Sequence, residues 1–372
     1  MFFKLSKNKD IRFPNHAMVG SWILSFDDGW NKTENDSWYK GFQHLTIDHG
    51  LWTEIREHAG IIQLLHGKCR GYPLWWDAQD QVLTNLQGKG QILWSDDQVT
   101  LDQEQLHIKK SKILPDPDLT TRSRSQVVDL LRSNLLEKVG CLQDDYPFQP
   151  KKLFLSGGID TLLILGLCKN KNIDVEIIDY EYFQYDYFTN YNIEEIKKNY
   201  WAYTQLHHWT KDTLFLTGSC GDEYLFRGPT EISIWAAWHD IDLCDMLSSS
   251  NGYHAGYFKK QSNFEIIQNA FKNKNQIKEQ WPDKKSLINQ ILNINANEYQ
   301  HWHLGKTLTW TPFLDLNLTN LMVSLDPRDL IDQILDAGIT KELLCSLDSE
   351  LINLLSNTKN YNSRRNLINA KL

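Results

Sequence analysis

The chain has 372 residues, 41% of them hydrophobic, and a formal net charge of −8. This length allows two domains with separate cores, and the acidic balance argues against a surface devoted to nucleic acid. The six cysteines form no Cys-x-x-Cys pair, which argues against a zinc or dithiol redox site. No apolar run reaches the roughly 18 residues of a membrane-spanning helix, and the first residues lack a signal-peptide core. We therefore expect a soluble, cytoplasmic protein with reduced thiols.

The first third of the chain alternates short apolar runs with turn residues. For residues 1–50, which mix aromatic and polar side chains, we predict turns at 26–30 and 31–36. From residue 60 onward, strands are predicted at 61–66, 72–76, 81–85, 91–94, 99–101 and 106–108. Their spacing of about ten residues is typical of antiparallel sheets. The sequence thus predicts a mostly antiparallel β domain over residues 1–114.

A proline-containing stretch, Leu114–Asp118, predicts a stiff, exposed connector to a second domain over residues 115–372. Ser123 or Ser125 is expected to cap a helix that runs to about residue 139. The apolar face of this helix is predicted to contain Val127, Val128, Leu130, Leu131, Leu135 and Leu136.

The most informative stretch of the second domain begins at residue 153. The apolar run 153–155 predicts a buried strand, Ser156-Gly157-Gly158 predicts a tight turn, and Asp160-Thr161 opens an apolar helix. Free N–H groups at such a turn and helix N-terminus attract phosphate, although the Gly-Lys-Ser/Thr of a Walker loop is absent. We predict a nucleotide phosphate site formed by Leu155, Ser156, Gly157, Gly158, Asp160 and Thr161.

A second acidic loop follows another predicted strand. Strands are expected at 174–179 and 214–217, and parallel strands bind ligands at their carboxyl ends. Gly218, Asp222 and Glu223 come directly after the later strand. Asp160 and Asp222 would then approach one Mg²⁺ from two sides, because Mg²⁺ usually takes one or two carboxylates plus substrate phosphates. The alternative is that Asp222 and Glu223 only form the acidic first turn of a helix.

Four segments carry a resemblance to a known family. Ser156–Thr161 resembles the pyrophosphate-binding loop of the PP-loop ATP pyrophosphatases, and Gly218–Gly228 is similar to the Ser-Gly-Glu-Gly-Ser-Asp-Glu-Leu-Phe-Gly-Gly motif of asparagine synthetases. Trp310–Leu318 resembles the Arg-x-Pro-Phe-Leu-Asp segment of the same proteins. Cys69–Trp76 resembles part of their N-terminal glutaminase domain.

The resemblance implies an α/β fold whose parallel sheet has helices on both faces, preceded by a degenerate glutaminase-like domain. It implies an amide ligase that uses ATP and Mg²⁺, adenylates a small carboxylate, and releases AMP when ammonia or a substrate amine attacks. The catalytic lysine of the family corresponds to Lys359, with Lys341 as the competing candidate. Asp315 is expected to be a structural cap rather than a catalyst.

The sequence departs from the family at three positions. Phe2 stands where the family has its glutamine-hydrolysing cysteine, Ser219 replaces a glutamate, and Trp310 replaces the arginine. Glutamine hydrolysis is therefore not expected. A catalytically degenerate ATP-binding or interaction protein, or another PP-loop enzyme such as a tRNA-modifying ligase, remains an alternative. We expect no nucleic-acid or membrane partner, and leave open the two substrates and whether the chain forms a homodimer.

Overall fold

The structure is a computed structural model of the chain. It describes residues 3–7, 15–19, 22–26, 31–32, 38–41, 52–59, 61–66, 74–84, 91–93, 97–101, 106–110, 114–155, 158–178, 214–218, 220–296 and 308–357.

The first region of the chain contains twelve described strands, which pair only antiparallel. One sheet has the order β10-β8-β9-β1-β3-β2 and the other the order β12-β11-β7-β6-β5-β4. The strands are β1 Phe3–Ser6, β2 Asn15–Val19, β3 Trp22–Phe26, β4 Asn31–Lys32, β5 Trp38–Gly41, β6 Trp52–His58, β7 Ile61–His66, β8 Leu74–Asp77, β9 Val82–Thr84, β10 Gln91–Leu93, β11 Asp97–Leu101 and β12 Leu106–Lys110.

Burial alternates along several of these strands, as expected where a sheet packs one face on a core. In β8, Leu74 and Trp76 are buried while their neighbours are only half-buried. The predicted antiparallel layer is confirmed, and β7 has the predicted limits. The first fifty residues contain five strands that the turn signals did not predict.

The second region is built on a small parallel sheet. Its strands are β13 Lys151–Phe154, β14 Glu176–Ile178, β15 Leu214–Leu216 and β16 Leu308–Trp310, in the order β14-β13-β15-β16. All three residues of β15 are buried, which explains its continuous apolar sequence. The prediction of a mixed α/β chain, with antiparallel strands first and a parallel sheet later, is confirmed. The boundary near residue 114 stays a prediction.

Helices supply the rest of the second region. They are α1 Arg124–Asp145, α2 Ile159–Asn170, α3 Gly221–Tyr224, α4 Pro229–Trp238, α5 Leu243–Ser249, α6 Ala255–Phe258, α7 Gln261–Lys272, α8 Lys274–Gln280, α9 Lys284–Ala296, α10 Leu316–Met322, α11 Pro327–Asp336, α12 Gly338–Leu347 and α13 Ser349–Asn357. Helix α2 is buried along most of its length, from Ile159 to Cys168. Among the described residues, no helix combines the length and apolarity that crossing a membrane requires.

Helix α1 begins as predicted but continues further. Ser123 accepts a hydrogen bond from the Gln126 N–H, and the Gln126 side chain accepts one from the Ser123 N–H. This reciprocal capping fixes the first residue of the helix. The helix passes residue 139 and ends at Asp145. Leu130, predicted on the apolar face, is 43% exposed.

The connector at 114–118 is less exposed than its composition predicted. The side chain of Asn320 accepts a hydrogen bond from the Asp118 N–H at 2.8 Å and donates one to the Asp116 carbonyl at 2.9 Å. Asp118 also forms an ion pair with Arg122 at 2.5 Å. Asn320 therefore fastens this stretch to helix α10, because its side chain bonds both the Asp118 N–H and the Asp116 carbonyl.

Candidate functional site

The order of the parallel sheet predicts where a ligand binds. Strand β13 pairs with β14 on one side and with β15 on the other. Loops that leave the carboxyl ends of two such strands diverge, and the resulting crevice is where open α/β sheets hold ligands. The loop after β13 leads into α2, and the loop after β15 leads into α3.

Two glycines bring these loops into direct contact. A methyl group added at Gly218 would lie 2.9 Å from the backbone nitrogen of Thr161, and one at Gly221 would lie 2.4 Å from the carboxyl carbon of Asp160. Both distances are too short for any real side chain. The sequence therefore needs glycine at these positions so that α3 can lie against the first turn of α2.

A buried arginine joins the acidic residues of the two loops. Arg227 is fully buried; one of its terminal nitrogens, Nη2, contacts Oδ1 of Asp160, and the other, Nη1, lies 2.9 Å from Oδ1 of Asp222. Nη1 also lies 2.6 Å from Nε2 of His254. Asp160 and Asp222 were predicted to meet, and in the structure they converge on this one guanidinium.

Partial burial perturbs the protonation of Asp160. Its side chain is 14% exposed, while that of Asp222 is 41% exposed. Burial raises the pKa of Asp160, the Arg227 charge opposes this rise, and the Asp222 charge adds to it, with a resulting pKa of about 7. The ionisation of Asp160 therefore depends on the cation beside it, which here is Arg227.

The imidazole of His254 completes this group. A guanidinium only donates hydrogen bonds, so Nε2 of His254 has to accept, and the neutral ring carries its proton on Nδ1. Burial first, and then the charge of Arg227, lower the pKa of His254 to about 3. His254 is therefore a fixed neutral acceptor rather than a proton donor at ordinary pH.

Asp160 and Asp222 could each offer one carboxylate oxygen to a metal ion. Arg227 contacts Oδ1 of each carboxylate, which leaves a second oxygen on each, and Asp222 is open to solvent. Within the described ranges, no group of three or more His, Cys, Asp or Glu side chains could hold a metal ion by itself. Two carboxylates without a protein cage suit Mg²⁺, which keeps several waters and takes phosphate oxygens as ligands.

The other predicted binding residues have mixed surroundings. Gly158 is the N-cap of α2 and no side chain caps the helix there. Thr161 is buried and its hydroxyl donates to the Gly158 carbonyl at 3.0 Å. Leu155 is in the core, so only its backbone can face a ligand. Ser156, Gly157 and Ser219 lie outside the described residues.

Glu223 occupies the same single turn as Asp222. The acidic pair lies in the first turn of α3, so both interpretations of the pair agree with its position. Tyr257 on α6 lies nearby: burial, and then the charges of Asp222 and Glu223, raise the pKa of its hydroxyl. Its ring is 37% exposed. Tyr257 thus borders the acidic side of the site.

The two candidate lysines differ. Lys341 on α12 forms an ion pair with Asp336 at 2.7 Å, and its Nζ lies 5.5 Å from the centre of the Tyr253 ring. That ring packs edge-on against His254 at 4.9 Å. Lys341 is therefore linked to the site through two side chains and makes no contact with either carboxylate. Lys359 lies outside the described residues.

The third motif also follows a strand. Trp310 ends β16 and is buried. Asp315, beyond it, accepts a hydrogen bond from the Asn317 N–H at 2.9 Å and pairs with Lys138 at 2.6 Å. Asp315 caps α10 and anchors the loop to α1, in agreement with the structural role expected from the sequence.

Arg227 and His254 are the residues that sequence reasoning missed. Arginine is usually a surface residue, and the motif match directed attention to the acids. The sequence did carry a signal that Arg227 is buried, since it directly follows the apolar run Tyr224-Leu225-Phe226, which lies in the core.

Comparison with known proteins assigns no family. No protein-family model matches the chain, and no curated protein matches it.

Proposed function

We propose that the chain is an ATP-dependent, AMP-forming amide ligase of asparagine-synthetase type, built on a PP-loop ATP-pyrophosphatase fold. The observation that carries this proposal is the meeting of Asp160 and Asp222, from loops after two adjacent parallel strands, at the switch point of the sheet. A nucleotide site of this class needs two acidic loops that come together. A glycine turn with only a structural role does not need a second acidic loop beside it.

The phosphates would bind at the N-terminus of α2. No side chain caps this helix at Gly158, and the helix dipole favours negative charge there. The close approach of Gly218 and Gly221 brings the second loop to the same turn. ATP bound here would lie with its pyrophosphate between the two loops.

Asp160 and Asp222 are the residues that would hold Mg²⁺, through the oxygens that Arg227 does not contact. When bound, Mg²⁺ neutralises the charge that builds on the departing pyrophosphate. The carboxylates orient the ion, and partial burial of Asp160 limits the access of water to it. Lys359 is the remaining candidate to offset charge in the adenylation step, because Lys341 already neutralises Asp336.

The substrates would be a small carboxylate and either ammonia or a substrate amine. With Phe2 in place of the cysteine nucleophile, glutamine would not be the nitrogen source. The cytoplasm is the compartment we propose.

A second candidate is a nucleotide-binding protein without ligase activity. It is favoured by Trp310, which is buried in the core at the position of the family's arginine, and by the ion-paired state of Lys341. Trp310 removes a positive charge that the family has, and the ion pair with Asp336 offsets the charge of Lys341.

Binding and exchange measurements test the proposal. Calorimetric titration with ATP and Mg²⁺ should show binding that Asp160→Asn and Asp222→Asn each weaken by about tenfold or more. Asp245→Asn, which changes an exposed carboxylate on α5, is the matched control. Absence of binding to the unaltered protein would overturn the proposal.

ATP–pyrophosphate exchange then separates the two candidates. Exchange that depends on one member of a panel of small carboxylates is the result expected for the ligase. ATP binding without exchange for any member supports the non-catalytic candidate.

A further inference from the structure

Arg227 has an unusual position for a charged side chain. Its guanidinium is fully buried, and it touches three groups from three segments: Asp160 on α2, Asp222 on α3 and His254 next to α6. An isolated buried charge costs several kcal/mol, on the order of the stability of a domain. Such a residue persists where its partners compensate for the loss of water.

The geometry uses the planar fork of arginine. Its two terminal nitrogens reach two different carboxylates, while Nη1 is shared with an imidazole acceptor. A lysine in this place would carry the same charge on a single nitrogen and could not span both carboxylates in fixed directions. Orientation, in addition to charge, is therefore what arginine provides.

We infer that Arg227 is a positioning residue for the nucleotide's metal ion: it holds Asp160 and Asp222 by Oδ1 of each, so that Oδ2 of each would remain available to the ion. This inference rests on the proposed function. Without a cation between them, two neighbouring carboxylates repel each other and one of them protonates. Arg227 opposes this repulsion, because its positive charge lies against Oδ1 of both carboxylates.

His254 fixes the direction of the guanidinium. It is 7% exposed, and its ring is packed against Tyr253 at 4.9 Å and Phe258 at 6.2 Å between ring centres. A neutral acceptor held in this way prevents Arg227 from turning toward only one carboxylate. His254 therefore acts on the metal site through Arg227.

The experiment compares Arg227→Lys with the unaltered protein, using Mn²⁺ in place of Mg²⁺ and ATP as the ligand. Mn²⁺ affinity in the presence of ATP is measured by electron paramagnetic resonance, and folding is checked by the midpoint of thermal unfolding. Arg227→Lys should weaken Mn²⁺ binding by about tenfold or more, as loss of a group that orients metal ligands does. Arg328→Lys, at an exposed arginine on α11, should leave the affinity unchanged.

A double-mutant cycle separates positioning from general damage. In the Asp222→Asn background, Arg227→Lys should cost much less, because one of the carboxylates it orients has been removed. His254→Gln, which keeps the arginine, should reproduce part of the loss and serves if Arg227→Lys does not fold.

The outcomes distinguish the inference from the proposed function. If the unaltered protein binds no Mn²⁺ with ATP, the proposed function fails. If it binds, and the Arg227→Lys and His254→Gln variants bind equally well or more tightly, Arg227 only repels the ion and the inference is overturned. Full additivity in the cycle overturns it as well.

Discussion

The two regions of the chain bury different kinds of polar groups. In the described antiparallel sheets the buried polar side chains are the hydroxyls of Ser6, Ser25 and Thr84. In the region of the parallel sheet, Arg227, Glu231, His254 and Asp315 are buried as well. The Thr84 hydroxyl donates a hydrogen bond to the Phe3 carbonyl at 2.8 Å. Buried charges need designed partners.

The buried charges of the parallel-sheet region have two kinds of role. Glu231 and Asp315 cap helices, whereas Arg227 lies between the two acidic loops where the proposed function puts the ligand. The antiparallel sheets show the pattern of a structural layer. The comparison can be tested by changing buried polar groups in each region.

The largest effect is expected for Arg227→Met. Removing the guanidinium leaves two carboxylates without their counter-ion, and breaking a buried ion pair in this way costs about 3–5 kcal/mol. Thr84→Val in the antiparallel sheet removes one neutral hydrogen bond and should cost about 1 kcal/mol. Urea unfolding at neutral pH measures both. Equal losses would show that the two regions do not differ in this respect.

A smaller effect is expected for Gly221→Ala. The new methyl group would lie 2.4 Å from the Asp160 carboxyl carbon, so α3 has to move away from α2 at a cost of about 1–3 kcal/mol. Gly256→Ala in α6 is the control, because nothing lies within 4 Å of its added methyl group. Thermal unfolding of the two variants provides the measurement. A Gly221→Ala protein as stable as the control would contradict the close contact of the loops.

The smallest effect concerns pH. The pKa of His254 is lowered to about 3 in the folded protein, so below the unfolded pKa of about 6.5 the unfolded chain binds more protons. The contribution of His254 to the free energy of unfolding is fully present above about pH 6.5 and falls as the pH decreases toward 3. The loss between pH 6.5 and 5 should be about 1–2 kcal/mol.

The neighbours of His254 determine the sign of this prediction. Burial and the positive charges of Arg227 and Lys341 favour the neutral ring, whereas Asp222 and Asp336 oppose them. His254→Gln should remove this component of the acid sensitivity in urea titrations at several pH values. If the variant keeps the full slope between pH 6.5 and 5, another group is responsible.

Much of the parallel-sheet region could be predicted from local patterns. Apolar runs indicated β13, β14 and β15. Ser123 was one of two serines predicted to cap α1, and Asp315 was expected to be a structural cap, because a side-chain oxygen before a helix has a defined partner. Strand β16 was missed, because its three residues, Leu-Thr-Trp, are too few to show the alternation of apolar and polar side chains that indicates a strand.

The first fifty residues and the arginine show the limits of such patterns. Strands β1 to β5 are short and mix aromatic with polar residues, so turn signals outweighed the alternation. The position of Arg227 depends on residues distant in sequence, such as Asp160 and His254, and only folding brings them together. Lys341 is different, because its partner Asp336 is close in sequence, although the pair was not foreseen.

The fastening of the connector has a consequence for how the chain folds during synthesis. Asp118 pairs with Asn320 across 202 residues, and Arg124 pairs with Glu342 across 218. On the ribosome, these two contacts form only after α10 and α12 have emerged, although α1 can pack against α2 earlier. The antiparallel sheets, whose strands pair over shorter distances, can form earlier. The turn at His254 hydrogen-bonds to Leu335 and Asp336, so the contacts around Arg227 are complete only after α11 has emerged.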